Sequence, residues 1–180
     1  MTTEQMLALP DNGVQRWLVE GQLREKPMTV RNRFHSRVMV RIAKFLDNWN
    51  DLRPEPRGQV LCGEVGCRLR RNPDSTYGLD VVYVAANLVV QESGETTLID
   101  GVPTLIVEIL SPSNTMEAID EKIDVYQKVG VPLIWVIDPH DRTVTIYRLD
   151  AEPELVNITQ ELTAEPHLPG FRVAVKEFFA

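Results

Sequence analysis

The chain is short of what several common protein classes require. It has two cysteines, Cys62 and Cys67, both within LCGEVGCRL. A zinc site would need a second pair of ligands, and His35, His140 and His167 show no zinc-finger spacing. Structural thiols on or beside a strand are the better reading, since a reducing cytosol disfavours a disulfide. No apolar run approaches the roughly 18 to 20 residues of a membrane span. The N-terminal MTTEQMLALPDNG lacks a basic segment followed by an apolar one, so no signal peptide is read there and a cytoplasmic location is expected. Repeats and low-complexity tracts are missing. So is a glycine-rich phosphate loop, which leaves nucleotide hydrolysis of the P-loop kind unsupported. Ser111 and Ser113 have no His/Asp partner nearby in sequence, so helix capping is a better role for them than nucleophilic catalysis.

Positive charge is scarce too. The net charge of −7 argues against a protein that coats nucleic acid, because counterion release rewards a basic surface. The charge is nevertheless uneven. Between Gln22 and Lys44 stand seven basic residues (Arg24, Lys26, Arg31, Arg33, Arg37, Arg41 and Lys44) against one acid, Glu25. From Asp150 to Ala180 six acids face only Arg172 and Lys176. A locally basic face on an acidic molecule suits transient contact with phosphates, while a solvated helix face is the plainer account.

What the chain does have is a globular balance. Its 180 residues are 43% hydrophobic and 25% charged, enough for one domain spanning 1–180. Thr2 to Leu9 reads as a short helix stopped by Pro10-Asp11-Asn12-Gly13. Trp17 to Leu23 reads as a strand with a turn or bulge at Gly21. From Arg33 the apolar spacing turns helical, with Phe34, Val38, Ile42, Phe45, Leu46 and Trp49 on one stripe that ends near Asn50. Strand-like segments follow at Gln59–Leu61, Glu64–Leu69 and Leu79–Val84, then a polar QESGET loop. The run from Thr104 to Leu110 is apolar almost throughout, as in a strand covered on both faces. A helix is expected from about Met116 to Val129, with Ile119, Ile123, Tyr126 and Val129 on one face and Gly130 closing it. Two strands, Leu133–Ile137 and Thr143–Tyr147, follow as a hairpin. The acidic stretch after Leu149 reads as a peripheral closing segment. This order predicts an α/β or α+β fold, a mixed sheet with helices against it.

One residue breaks the pattern. Glu108 stands in the middle of LIVEIL, where an isolated carboxylate would be costly to bury without a cation, a proton or good hydrogen bonds. A second acid, Asp80, begins the apolar strand Val81-Val82-Tyr83-Val84. Two carboxylates converging at strand ends, with a backbone carbonyl such as that of Ile109, would form an oxygen-rich site suited to Mg²⁺ or Mn²⁺. Lys122 borders the buried seam of its helix. It can snorkel to water or point back along the sheet to orient a nucleophilic water.

The succession GVPTLIVEILSPSNTMEAIDEKIDVYQKVGVPLIWVIDPHDRTVTIYRL is very similar to the signature of the Uma-type family of bacterial proteins. That family is placed among the endonucleases of the PD-(D/E)XK superfamily. The resemblance extends from LVEGQL through MTVRNRFHS to LPGFRVAVKEFF. It implies a restriction-endonuclease-like core, a central mixed sheet flanked by helices. It also implies metal-dependent cleavage of DNA, with backbone contacts from the Arg24–Lys44 region and homodimerisation left open. It puts the first acid of the site on Asp80, the strand acid on Glu108 and the lysine on Lys122. Glu20 matches an N-terminal acid position and His35 a histidine at the start of the first long helix. The chain departs from the superfamily pattern at Leu79, where a proline is usual, and at Leu110, where the lysine usually stands. Trp17 stands where the family often has an acid. Two other readings remain beside the nuclease: a binding module that keeps the fold without the chemistry, and a structural network in which Glu108 is simply paired with Lys122.

Overall fold

The computed structural model describes residues 1–28, 32–89, 97–112 and 114–180. Its elements run α1 (Thr3–Leu7), β1 (Val14–Val19), β2 (Gln22–Pro27), α2 (Arg33–Asp51), β3 (Gln59–Arg70), β4 (Ser75–Val84), α3 (Ala86–Val89) and β5 (Ile99–Asp100). They continue with β6 (Leu105–Ile109), α4 (Met116–Lys128), β7 (Leu133–Asp138), β8 (Thr143–Arg148), β9 (Glu154–Asn157), β10 (Glu161–Thr163), β11 (Arg172–Ala174) and a closing 3₁₀ turn, Val175–Phe178. The QESGET loop, Arg31 and Ser113 lie outside the described residues.

The mixed sheet expected from the element order is present. Seven strands follow the path β2-β1-β4-β6-β7-β8-β9, and β3 with β5 completes nine. β6 runs parallel to β7, and α4 is the crossover between them. The Trp17–Leu23 segment belongs to a longer β1–β2 hairpin that turns at Glu20-Gly21.

Alternation along the central strands divides the core in two. Leu105, Val107 and Ile109 of β6 and Leu133, Trp135 and Ile137 of β7 face α2. Ile106 of β6 and Ile134 and Val136 of β7 face α4. Both faces are covered, which is why the β6 sequence is apolar almost throughout. By the same alternation Glu108 stands on the α4 face.

The two long helices start and stop for local reasons. The Asn32 side chain caps α2 by accepting from the His35 N–H at 2.8 Å. Val38, Ile42, Leu46 and Trp49 bury the stripe read from sequence, but Phe34 is 63% exposed because it lines the rim of a cavity instead. Thr115 caps α4, with Glu117 in its first turn and Lys128 in its last, the signs that suit the helix dipole. At its end Val131 N–H donates to the Tyr126 carbonyl and Gly130 N–H to that of Gln127. This closure puts Gly130 at φ +88°, where a side chain would be strained.

One sequence expectation needs correction. The stretch after Leu149 is not peripheral. Leu162, Leu168, Phe171, Val173, Val175 and Phe178 are buried in the α2-side core, with Phe171 packed against Trp49 and Trp135. Both cysteines lie on β3 as expected, Cys67 buried and Cys62 exposed.

Candidate functional site

The site forms where the ladders on both sides of β4 break. On one side, β3 pairs Cys62 with Val81 and Val65 with Leu79, so an extra residue of β3 bulges opposite Asp80. Gly63 and Glu64 in this bulge have φ +102° and +61°. The bulge lays the Glu64 carboxylate over Gly78, where a Cβ would meet Glu64 Oε2 at 2.6 Å. On the other side, β4 pairs with β6 from Tyr83↔Leu105 to Val81↔Val107. One step further, where Asp80 would oppose Glu108, the Ile109 N–H instead donates to Asp80 Oδ2 at 2.8 Å. The break therefore turns a strand residue's carboxylate into part of a site.

Asp80 is buried, and His35 Nε2, at the start of α2, stands 3.2 Å from the same Oδ2. Burial is the largest single influence on the Asp80 carboxyl and pushes its pKa up. The His35 hydrogen bond and electrostatic pull, the Ile109 N–H and the charge of Lys122 outweigh it and hold the group below its ordinary value. Asp80 is thus kept ionised. His35 is fully buried, and its Nδ1 has no hydrogen-bond partner among the described residues.

Glu108, also buried, is met from α4. Lys122 Nζ donates to Oε2 at 2.7 Å and the Tyr126 hydroxyl to Oε1 at 2.6 Å. Lys122 and Tyr126 are four residues apart and so lie one above the other on the helix face. Burial, helped by the neighbouring Glu108 charge, pushes the Tyr126 phenol well above its ordinary value, so it stays a donor.

The structure therefore brings together Asp80, Glu108, Lys122, His35 and the Ile109 backbone. It does not bring in Glu20. That residue sits exposed at the β1–β2 turn at φ +48°, and its carboxylate stands 3.8 Å from Arg70. Tyr126 was read from the sequence only as part of a buried seam. The available signal was a hydroxyl one turn beyond Lys122 on the face that meets an acid-bearing strand.

Two cavities flank the cluster, and Asn114 lines both. One, about 160 Å³, is walled by Lys122, Tyr77, Trp17, Lys26 and Gln15. The other, about 700 Å³, lies beyond the ends of β6 and β7 and is lined by Phe34, Pro112, Pro139, His140 and Arg142. The basic segment read from the sequence is split between duties. Lys26 borders the first cavity, and Arg33 stacks over Phe34 at 5.4 Å. Arg24 pairs with Glu121 at 3.6 Å. Arg37 and Arg41 are turned to the C-terminal segment, donating to the carbonyls of Ala180 and Glu177.

The donor set fits a hard divalent ion in kind. Carboxylate oxygens and a backbone carbonyl are the ligands Mg²⁺ takes, and it commonly keeps several waters beside one or two carboxylates. Among the described residues no group of three His, Cys, Asp or Glu side chains could hold a metal. An ion here would rest on Asp80, Glu108, backbone oxygen and water.

The chain matches the model of the Uma2 family, described as "Putative restriction endonuclease", over residues 3–176. The chain belongs to this family. The chain is also similar in fold to a crystal structure titled as that of a putative nuclease belonging to DUF820 from Anabaena variabilis. That structure and this one share 21% identity and a TM-score of 0.80, covering 99% of this chain and 97% of the other. No curated protein matches the chain. No helix among the described residues is long and apolar enough to cross a membrane. Asp80, Glu108 and Lys122 stand around one break in the sheet.

Proposed function

We propose that this protein is a metal-dependent nuclease that hydrolyses DNA phosphodiester bonds, with Asp80 and Glu108 holding Mg²⁺ or Mn²⁺ together with the Ile109 carbonyl. The observation that carries the reading is a pair of buried carboxylates flanking one ladder break and served by one lysine. Lys122 bonds Glu108 directly, and its charge also draws down the Asp80 carboxyl. Two buried carboxylates flanking the same break are the hard oxygen ligands that a divalent ion takes. When bound, such an ion acidifies water and steadies the leaving oxygen.

The chain's own residues do the rest. His35 and the Ile109 N–H fix Asp80 on one oxygen, and Tyr126 fixes Glu108. Lys122 Nζ brings N–H donors and charge to the wall of the smaller cavity, where they orient a water or a phosphate oxygen. Lys26 and Arg33, with Arg142 beside the larger cavity, supply backbone contacts, and Phe34 offers a ring on which a base can stack.

A second reading, a binding module that retains the fold, draws on one observation. Asp80 Oδ2 and both oxygens of Glu108 already have protein partners. Incubating the purified protein with plasmid and single-stranded DNA in Mg²⁺, Mn²⁺ or EDTA separates the two. The nuclease reading expects cleavage that EDTA stops and that Glu108→Gln abolishes. DNA retention without cleavage in any metal would favour the binding module.

A further inference from the structure

We infer that Tyr126 is a positioning residue for the Glu108 carboxylate, and that Lys122 is its exchangeable partner: the phenol stays while the ammonium leaves when a divalent ion occupies the centre. This rests on the metal-centre reading given above.

The two donors to Glu108 are matched in distance and opposite in character. Tyr126 is fully buried, and its ring is braced edge-on by Tyr77 at a centroid separation of 5.4 Å and an interplanar angle of 81°. Its hydroxyl donates to Oε1 from this fixed position. Nothing about an incoming cation repels it, and it has nowhere to move. The Lys122 side chain is 24% exposed, sits on a long flexible stem and already lines the smaller cavity. It carries the charge that a divalent ion would repel, and it holds the oxygen, Oε2, that the ion would take. Lys122 is therefore the partner that gives way, and giving way moves its N–H donors toward the space open to a phosphate. Without Tyr126 the carboxylate would lose the one contact that persists through this exchange. Partners that orient a metal ligand in this way typically set its affinity, and their loss weakens binding by about 10- to 100-fold.

Tyr77 provides a control. Its own hydroxyl is buried without a hydrogen-bond partner among the described residues. Tyr77→Phe thus keeps the ring pair and touches no oxygen of Glu108.

The test is Mn²⁺ affinity, measured by electron paramagnetic resonance or calorimetry on the whole chain without DNA. Tyr126→Phe should bind about 10- to 100-fold more weakly than wild type, and Tyr77→Phe should match wild type. Lys122→Met should bind more tightly, because a competitor for Oε2 and a like charge are both gone. The opposite signs mark the exchange, since a merely structural role would lower both or change neither. Equal affinity of Tyr126→Phe and wild type would overturn the positioning role while leaving the metal centre standing. Weaker binding by Lys122→Met would overturn the exchange, and this variant decides if Tyr126→Phe does not fold. Wild type that binds no Mn²⁺ would overturn the metal reading and this inference with it.

Discussion

Arg68, buried on β3, meets Asp100 through Nε at 3.0 Å and Nη2 at 2.7 Å, and it also contacts Glu4, while Arg71 reaches the same Asp100. Here the cation is the buried partner and the acids lie toward solvent. The fork of the guanidinium matches the carboxylate geometrically, and the pairing raises the Arg68 pKa and lowers that of Asp100. At the β4–β6 break the arrangement is reversed. The acids, Asp80 at 4% exposure and Glu108 at 5%, are buried, and Lys122, the cation bonded to Glu108, reaches water. The first network satisfies itself and ties α1, β3 and β5 together. The second is held by His35 and the Ile109 N–H on Asp80, and by the Tyr126 hydroxyl and a partly exposed lysine on Glu108. Two clusters of similar composition thus differ in which sign is buried, and the metal centre proposed above is the one with its acids inside.

The comparison can be broken where its stability effect is largest. Arg68→Ala removes a bidentate pair and should cost about 3 kcal/mol, the lower range for breaking a buried pair, since the acids left behind can reach water. For a chain of this size that lowers Tm by roughly 6 to 12 °C. Metal-dependent cleavage by the folded variant should match wild type. A small change in Tm with lost cleavage would mean the roles of the two networks had been reversed.

Acid should loosen both networks. The carboxyls of Asp80 and Asp100 lie below their ordinary values in the fold, so the unfolded chain binds these protons more tightly. Their contribution is complete above about pH 4 and is lost as the pH falls through the folded values. Urea midpoints at pH 5 and pH 3 should drop less for Asp100→Asn than for wild type. An identical drop would show that the Arg68 pair contributes nothing to acid sensitivity.

A smaller effect is expected at the rim. Phe34 is exposed, so Phe34→Ala should leave the free energy of unfolding within about 0.5 kcal/mol of wild type. Loss of a stacking ring should weaken binding of single-stranded DNA by about 1 kcal/mol or somewhat more. Unchanged affinity would remove Phe34 from the proposed substrate path.

Much of this was legible in the sequence. The cost of a carboxylate within an aliphatic strand singled out Glu108, and helical spacing placed Lys122 beside a buried seam. The resemblance added His35, which the structure sets against Asp80. Glu20 matched a family position, but it lies at an exposed turn facing Arg70. The bulge at Gly63-Glu64 that frees Asp80 from its ladder could not be read, because register is set by strand pairing and not by local pattern. The C-terminal segment was misread because its core residues are spaced irregularly among acids and prolines. Their burial follows from α2 leaving that face of the sheet open.

The most direct test of the central claim is the melting temperature of wild type and Glu108→Gln, each with and without Mg²⁺. If Asp80 and Glu108 form a metal centre, Mg²⁺ at about 100 times its Kd should stabilise wild type by about 2.7 kcal/mol and leave the variant unmoved. Without metal the variant should melt close to wild type. Repulsion with Asp80 is relieved, and Lys122, being partly exposed, can turn to water. A loss of about 3 to 5 kcal/mol in Glu108→Gln, with no Mg²⁺ effect on wild type, would contradict the account and make Glu108 and Lys122 a structural pair.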